Sequence, residues 1–329
     1  MIRILTLLAI LVIPGLFDTA LAKSPLRAGT FEVTNSFNRR AQAEKGKMPA
    51  QRMWVHSAVA VADAIIDSDC DILGIHDVCD SIAGRREDVK PLIDYIRERG
   101  GDYDWLVLSN SNPNYPLEGD MANGDGIIWR SSRFELRDYG INWLSGIYDK
   151  PGRDKSLKYG GPKASFTWAR LYDKTCGKEL VFASATVNGP TQYDHGEKVV
   201  YHEINVANCR NLINMLKDEI VPKGMPSIIA INSHNAPSHE GYKVLTSSVW
   251  FDVHDTLHEE GSLDEASNKV KDTCNSPDES KLQGGRPDHI LVDGFDIVSY
   301  AVLRKKFATN DGSLHYPALH FPVVADLKL

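Results

Sequence analysis

Short apolar runs rich in β-branched residues alternate along this chain with stretches whose apolar residues recur at helical spacing, and that alternation constrains the fold more than any other feature. Leu26 to Thr34 reads as a strand, and Gln51 to Ile66 as a helix with Val55, Val59, Val61, Ala62, Ile65 and Ile66 on its apolar positions. Asp71 to Asp77 reads as the second strand and Val89 to Arg99 as the second helix. Successive strands follow at Trp105–Ser109, Gly126–Arg130, Phe134–Leu136, Ser165–Tyr172 and Leu180–Val187, the last two joined across the turn-rich 173–178 segment. A long helix is predicted over His202 to Ile220, a strand over Ser227–Asn232, and a helical stretch near His254–Val270. The closing strands are His289–Val292, Ile297–Val302 and Phe321–Leu327. Two mixed sheets packed face to face, each covered by helices, would bury these runs.

The first residues carry a different signal. Arg3, the apolar run Ile4 to Phe17 and Ala20-Leu21-Ala22 form the basic, apolar and small-residue regions of a secretory leader, with cleavage expected after Ala22. Pro14 and Asp18 interrupt that run, and no later stretch approaches the roughly 20 apolar residues that a membrane-spanning helix needs. The expectation is an exported protein, extracellular or periplasmic, without a transmembrane helix. No Pro-, Ser- or Gly-rich linker and no repeat divides residues 23–329, so they are expected to form one domain.

The net charge of −7 is modest, and basic residues are scattered apart from pairs such as Arg39-Arg40, Arg85-Arg86 and Lys305-Lys306. A protein that holds duplex DNA through its phosphates usually shows a basic face, so charge argues against a nucleic-acid partner. The five cysteines, Cys70, Cys79, Cys176, Cys209 and Cys274, match no zinc pattern. Cys70 and Cys79 bracket a strand that extends by roughly 3.3 Å per residue, too far for direct pairing. Cys176 with Cys209 is left as a candidate disulfide.

Several segments, in order, resemble the signature strands of the endonuclease/exonuclease/phosphatase superfamily, the DNase I-like fold. Leu26-Arg27-Ala28-Gly29-Thr30-Phe31-Glu32-Val33 is similar to an opening strand that normally ends Thr-Phe-Asn-Val, and Asp71-Ile72-Leu73-Gly74-Ile75-His76-Asp77-Val78 to Asp-Ile-Ile-Gly-Leu-Gln-Glu-Val. Trp143-Leu144-Ser145 and Pro162-Lys163-Ala164-Ser165-Phe166-Thr167-Trp168-Ala169 resemble the family's Trp-Leu-Ser and Thr-Trp-Ala segments. Phe182 to Asn188 stands in the place of Val-Val-Asn-Thr-His-Leu-Asp, Ile229 to Pro237 in that of the Gly-Asp-Phe-Asn-Ala strand end, and Leu319-His320 in that of the terminal Asp-His. The resemblance implies a four-layer α/β sandwich with two mixed sheets inside and helices outside. It implies a phosphoester hydrolase that uses a divalent cation, usually Mg²⁺, on the first-strand Asn and second-strand Glu.

Carried over position by position, the resemblance leaves Asn235, Asp288 and His320 matching and the rest changed. Glu32 replaces the metal Asn, Asp77 the metal Glu, Thr186 the mid-chain His, Ser233 the loop Asp and Leu319 the terminal Asp, while Trp129 stands where many relatives have Tyr. Thr186 cannot shuttle a proton near neutral pH, Ser233 is no carboxylate base, and Leu319 cannot orient an imidazole. Each such role is commonly worth roughly 10²–10⁴-fold in rate.

Two readings follow. In the favoured one the protein retains the fold, has lost the phosphoesterase machinery, and acts by binding a phosphoester-containing ligand or a protein partner. In the other it is a diverged metal-dependent hydrolase of phosphodiesters or phosphomonoesters, with Mg²⁺ or another divalent cation on Glu32 and Asp77, and with Asn235 and His320 completing the site. His320 is read either as a transition-state donor or as a packed neutral imidazole, and Asn235 as a shaper of its own loop. Asp288 is expected to face Thr186. His76, His195, His234 and His239 lie on predicted loops and strand ends near the site, with surface positions as their default. Trp105, Trp129, Trp143 and Trp168 are read as core, or else as lining a groove.

Overall fold

The computed structural model describes residues 25–84, 90–108, 123–144, 164–189, 191–194, 197–200, 202–269, 272–279 and 284–329. The expected leader lies outside these residues, as do Val89, Ser109, Ser145, Pro162, Lys163, His195 and Val270. In chain order the first elements are β1 (Pro25–Glu32), α1 (Ser36–Glu44), α2 (Trp54–Ser68), β2 (Ile72–Cys79), α3 (Asp80–Ala83), α4 (Leu92–Glu98), β3 (Tyr103–Val107) and β4 (Asn123–Arg130). Then come β5 (Phe134–Trp143), β6 (Ser165–Asp173), β7 (Lys178–Thr186), β8 (Thr191–Asp194), β9 (Glu197–Val200), α5 (His202–Met215), β10 (Ser227–Asn232), α6 (Glu240–Thr246) and β11 (Phe251–Asp252). The chain finishes with α7 (Val253–Glu259), α8 (Glu265–Lys269), β12 (Asp288–Asp293), β13 (Asp296–Val302), β14 (Phe307–Ala308), β15 (Leu314–His315) and β16 (Val323–Lys328).

One six-stranded sheet runs β13-β16-β1-β2-β4-β3 and the other β11-β12-β10-β7-β6-β5. Both are mixed: β1 pairs parallel with β2 and β10 parallel with β7, while their other neighbours are antiparallel. Strand alternation assigns the layers. On β2, Ile72 joins the inner cluster with Phe182, Ile228 and Phe321, whereas Leu73 and Ile75 turn outward to Val61 and Ile65 of α2. On β10, Ile228 and Ala230 face inward, and Ile229 and Ile231 meet Cys209 and Leu212 of α5. The expected α/β sandwich is therefore present, with a core between two sheets and a helix layer outside each. The sheets touch at Gly74, where a Cβ would stand 2.5 Å from that of Ala230, so only glycine allows this approach.

Several expectations are corrected in detail. The predicted helix 51–66 starts after a 3₁₀ turn at Ala50–Arg52, and its Val55 is 63% exposed rather than packed. The helix from His202 ends at Met215 and widens into a π-turn over Leu216–Ile220. The stretch from 254 holds two short helices instead of one. Strand β5 runs on to Trp143, because its polar Arg137-Asp138-Tyr139 segment lies on a sheet edge exposed to solvent. All five cysteines are free, so Cys176 and Cys209 do not pair. Trp129 packs in the inner core, opposite Ile72 at the start of β2, and not in the cleft beyond the end of that strand.

Candidate functional site

Topology brings the positions that the resemblance singles out to one edge. Glu32 ends β1, Thr186 ends β7, and Ser233 follows β10, so three parallel-type strand ends point the same way. Because β12 and β16 run antiparallel to β10 and β1, their beginnings lie at that edge too, with Asp288 opposite Asn232 and Val323 opposite Thr30. Asp77 sits in a β-bulge of β2 with φ 60°, and Thr34 and His234 also adopt left-handed φ values of 56° and 51°. Strained non-glycine backbone thus gathers around the cleft.

At its centre is a chain of bonds through His320. Nδ1 lies 2.7 Å from Asp288 Oδ2 and Nε2 lies 3.1 Å from Glu32 Oε2. Thr273 Oγ1 donates to the same Asp288 oxygen at 2.5 Å. Burial works against a charged imidazole, but Asp288 and then Glu32 outweigh it and hold His320 well above the ordinary histidine value. Burial also opposes the Asp288 carboxylate, yet His320 and the Thr273 hydroxyl keep it below the ordinary aspartate range. Glu32 goes the other way: burial pushes it up to about 7, with His320 opposing and Asp77 and Asp288 adding to the rise.

The remaining positions are committed elsewhere. Asp77 accepts from Asn35 N at 3.0 Å on one oxygen and from Asn35 Nδ2 at 2.7 Å on the other, while Asn35 caps α1 through Asn38 N. Thr186 does not face Asp288. Its hydroxyl and amide donate to Asp125 at 2.7 and 3.0 Å, and Asp125 also meets the fully buried His76, whose other nitrogen reaches Thr30 Oγ1 at 2.7 Å. Ser233 is buried and turned to the Pro287 carbonyl. Asn235 is 1% exposed and reaches back toward Cys209, so its loop is shaped by the Ser233 and Asn232 side chains rather than by its own. Leu319 contributes its backbone, donating N–H to Thr34 Oγ1 at 3.0 Å.

His234 is exposed and electrically coupled to His320, Asp288, Asp77 and His76, so it belongs to the cleft. The atoms packed around it, then the charge on His320, hold its imidazole below the ordinary value although the residue keeps contact with solvent. His76 is the opposite case, an interior residue binding the two sheets.

Two arginines that carry no signal in the sequence build the floor. Arg39, 1% exposed, donates to the carbonyls of Thr34, Arg52, Pro317 and Val33 and to Ser57 Oγ. Arg52, 0% exposed, donates to the carbonyls of Ser276, Pro277 and Ala318 and pairs with Glu279 at 3.5 Å. Together they fix the segments that carry Cys274 and His320.

Among the described residues, the group of three His, Cys, Asp or Glu donors converging within 4.8 Å is Asp252, His254 and Asp255, away from Glu32 and Asp77. Arg286 already supplies the cation there, at 3.0 Å from Asp252 and 2.5 Å from Asp255. In the cleft both Asp77 oxygens accept from Asn35, and the Glu32 and Asp77 carboxyl groups lie close enough to interact with each other.

No family model and no curated sequence matches the chain. Among solved structures, an endonuclease/exonuclease/phosphatase family protein from Bacteroides thetaiotaomicron is similar over 93% of this chain and 98% of its own, at 18% identity and a TM-score of 0.69. A mannosyl-6-phosphatase from the same organism matches over 92% and 99%, at 18% identity and a TM-score of 0.69. The human Nocturnin catalytic domain with bound sulfate matches over 92% and 93%, at 15% identity and a TM-score of 0.58. With its two six-stranded mixed sheets and flanking helices, the chain has the DNase I-like fold of the endonuclease/exonuclease/phosphatase superfamily.

Proposed function

We propose that residues 23–329 are an exported DNase I-like domain that acts by binding at this cleft and no longer hydrolyses phosphoesters. The observation that carries the reading is the closed circuit around His320. The imidazole that would face a phosphoryl oxygen has Nδ1 bonded to Asp288 at 2.7 Å, and its Nε2 faces Glu32 at 3.1 Å and Cys274 Sγ at 3.8 Å, all groups of its own chain. Thr186 is committed to Asp125 and Ser233 is turned to Pro287, so neither stands in for the histidine or the carboxylate that the resemblance expects there. Arg39 in the floor of the cleft is not offered to phosphate, since it is spent on buried carbonyls. Hydroxyl-rich or cationic groups, such as a protein partner presents, suit the carboxylates better than a phosphate dianion does. Export rests on the leader-type N-terminus, and no described helix is long and apolar enough to cross a membrane.

The second reading, a diverged metal-dependent hydrolase, draws on the Asp288–His320 pair and on a Glu32 that titrates near neutrality, since together these retain an acid and a base. Structures of similar fold include a mannosyl-6-phosphatase, which makes phosphosugars worth including among the substrates to test. Thermal unfolding separates the two. A cation present at 100 times its Kd adds about 2.7 kcal/mol of stability. Millimolar Mg²⁺, Mn²⁺ or Ca²⁺ is expected to leave the melting temperature unchanged, whereas a rise abolished by Asp77→Ala would overturn the binding reading.

A further inference from the structure

Cys274 and His320 face each other as one pair of a short antiparallel ladder. Its flanking bonds, Asn275 N–H to Leu319 O at 2.7 Å and Phe321 N–H to Thr273 O at 2.8 Å, skip the pair itself. That makes it the non-hydrogen-bonded kind, in which facing side chains approach most closely. Accordingly Cys274 Sγ lies 3.8 Å from His320 Nε2, while Nδ1 of the same ring holds Asp288 at 2.7 Å. A sulfur, an imidazole and a buried carboxylate in series are the parts of an activated cysteine nucleophile. Neither side of the ladder is loose, because Arg52 ties the carbonyls of Ser276 and Pro277 on one side to that of Ala318 on the other.

The other thiols are placed differently. Cys70, Cys79 and Cys209 are buried, and Cys79 is engaged by Ser36. Cys176 shares the partial exposure of Cys274 but sits beside Asp173, and burial followed by that neighbouring charge pushes its thiol up. The ladder also narrows the chemistry. The amides of Asn275 and Phe321 are spent on the backbone bonds and are not free to cradle an oxyanion, as acyl transfer would require. Attack on a disulfide needs only a nucleophilic sulfur and a proton for the sulfur that leaves.

We propose that Cys274, with His320 positioned by Asp288, is a thiol–disulfide exchange site that takes small-molecule disulfides and carries them as a mixed disulfide. The reacting groups are the Cys274 sulfur and the His320 Nε2 that faces it at 3.8 Å. Sγ attacks one sulfur of R–S–S–R, the Sγ–S bond forms as the S–S bond breaks, and the proton of the Cys274 thiol passes by way of His320 to the leaving sulfur. The sum is protein thiol plus disulfide giving protein mixed disulfide plus free thiol, with the disulfide as the only oxidant. Glu32 Oε2 lies 3.1 Å from the same nitrogen. This site shares His320 and Asp288 with the proposed binding cleft, but it requires neither a phosphoester nor a metal.

The test treats the full chain with glutathione disulfide and follows Cys274 and Cys176 in the same sample by peptide mass. Cys274 is expected to react at least about tenfold faster than Cys176 in the folded protein, with the ratio collapsing to about one after unfolding in guanidinium. His320→Gln, with its fold verified by circular dichroism, should slow Cys274 about tenfold and leave Cys176 unchanged. Equal rates at the two cysteines in the folded wild type, or a Cys274 rate indifferent to His320→Gln, would overturn the proposal. Should that variant fail to fold, the folded-to-unfolded comparison in the wild type decides alone.

Discussion

Replacing Glu32 by glutamine should make the protein less sensitive to alkaline pH. The Glu32 carboxyl is pushed up to about 7 from an ordinary 4.5, chiefly by burial. Between those values the folded state binds a proton that the unfolded state has already released, so stability falls as pH rises through the window. At about 1.4 kcal/mol per pKa unit, the cost reaches about 3 kcal/mol above pH 7, with the attraction of His320 already counted against it. Glutamine keeps the shape and can still accept from His320 Nε2, but carries no charge to bury.

The assay is urea unfolding of wild type and Glu32→Gln at about pH 5 and about pH 8. Relative to wild type, the variant should gain about 2.5 kcal/mol on going from the lower pH to the higher. At the lower pH Glu32 is mostly neutral in the folded state, and the difference should be under about 1 kcal/mol. A variant that loses stability relative to wild type as pH rises would refute the reasoning, because it would mean that the Glu32 charge is a net asset in the folded cleft.

Other changes probe the supports of the cleft. Gly74→Ala places a Cβ 2.5 Å from Ala230 Cβ and should cost about 1–3 kcal/mol in urea unfolding, with Ala230→Gly restoring most of it in the double variant. Arg52→Met strips three carbonyls of their donor and removes the ion pair with Glu279, and should cost about 3 kcal/mol and speed hydrogen exchange over 273–279. Asp288→Asn should lower the midpoint of His320 in an NMR titration, since Asp288 is the larger of the two charges holding it up. The stabilisation tied to His320 is complete below the ordinary value of 6.5 and is lost as pH rises through its raised value, so this variant should flatten the alkaline part of the stability profile.

What the sequence reveals here follows from where the physics is local. Ser227–Asn232 is read with its correct ends because six buried apolar or small residues follow Pro226 and stop at a polar turn. Helix α1 escapes because Ser36–Glu44 is mostly polar; it is held by the Asn35 cap and by the buried Arg39, neither of which leaves an apolar period. The edge position of β5 likewise removes the alternation that identifies interior strands.

In the cleft, chain order locates Glu32, Asp77, Thr186, Ser233, Asp288 and His320, because the strand ends that carry them are recognisable. Their partners are not legible, since pairings such as His320 with Glu32 and Thr186 with Asp125 are decided by packing across two sheets. Asp125 and Cys274 carry no local signal, and Cys274 meets His320 only through a ladder between segments 46 residues apart. His234 offered one clue, a histidine in the turn after a buried strand, but a surface position was equally consistent with it.

The central claim is that this cleft has left metal-assisted phosphoester hydrolysis behind. The most direct test is a panel of plasmid DNA, RNA, sphingomyelin, inositol phosphates, phosphosugars and a chromogenic diester, offered to purified residues 23–329 with Mg²⁺ or Mn²⁺ and with chelator. No turnover above the chelated control from folded protein is the predicted result. Turnover that disappears both with chelator and in Asp77→Ala would contradict the account and establish a metal-dependent hydrolase built on Glu32, Asp77 and His320.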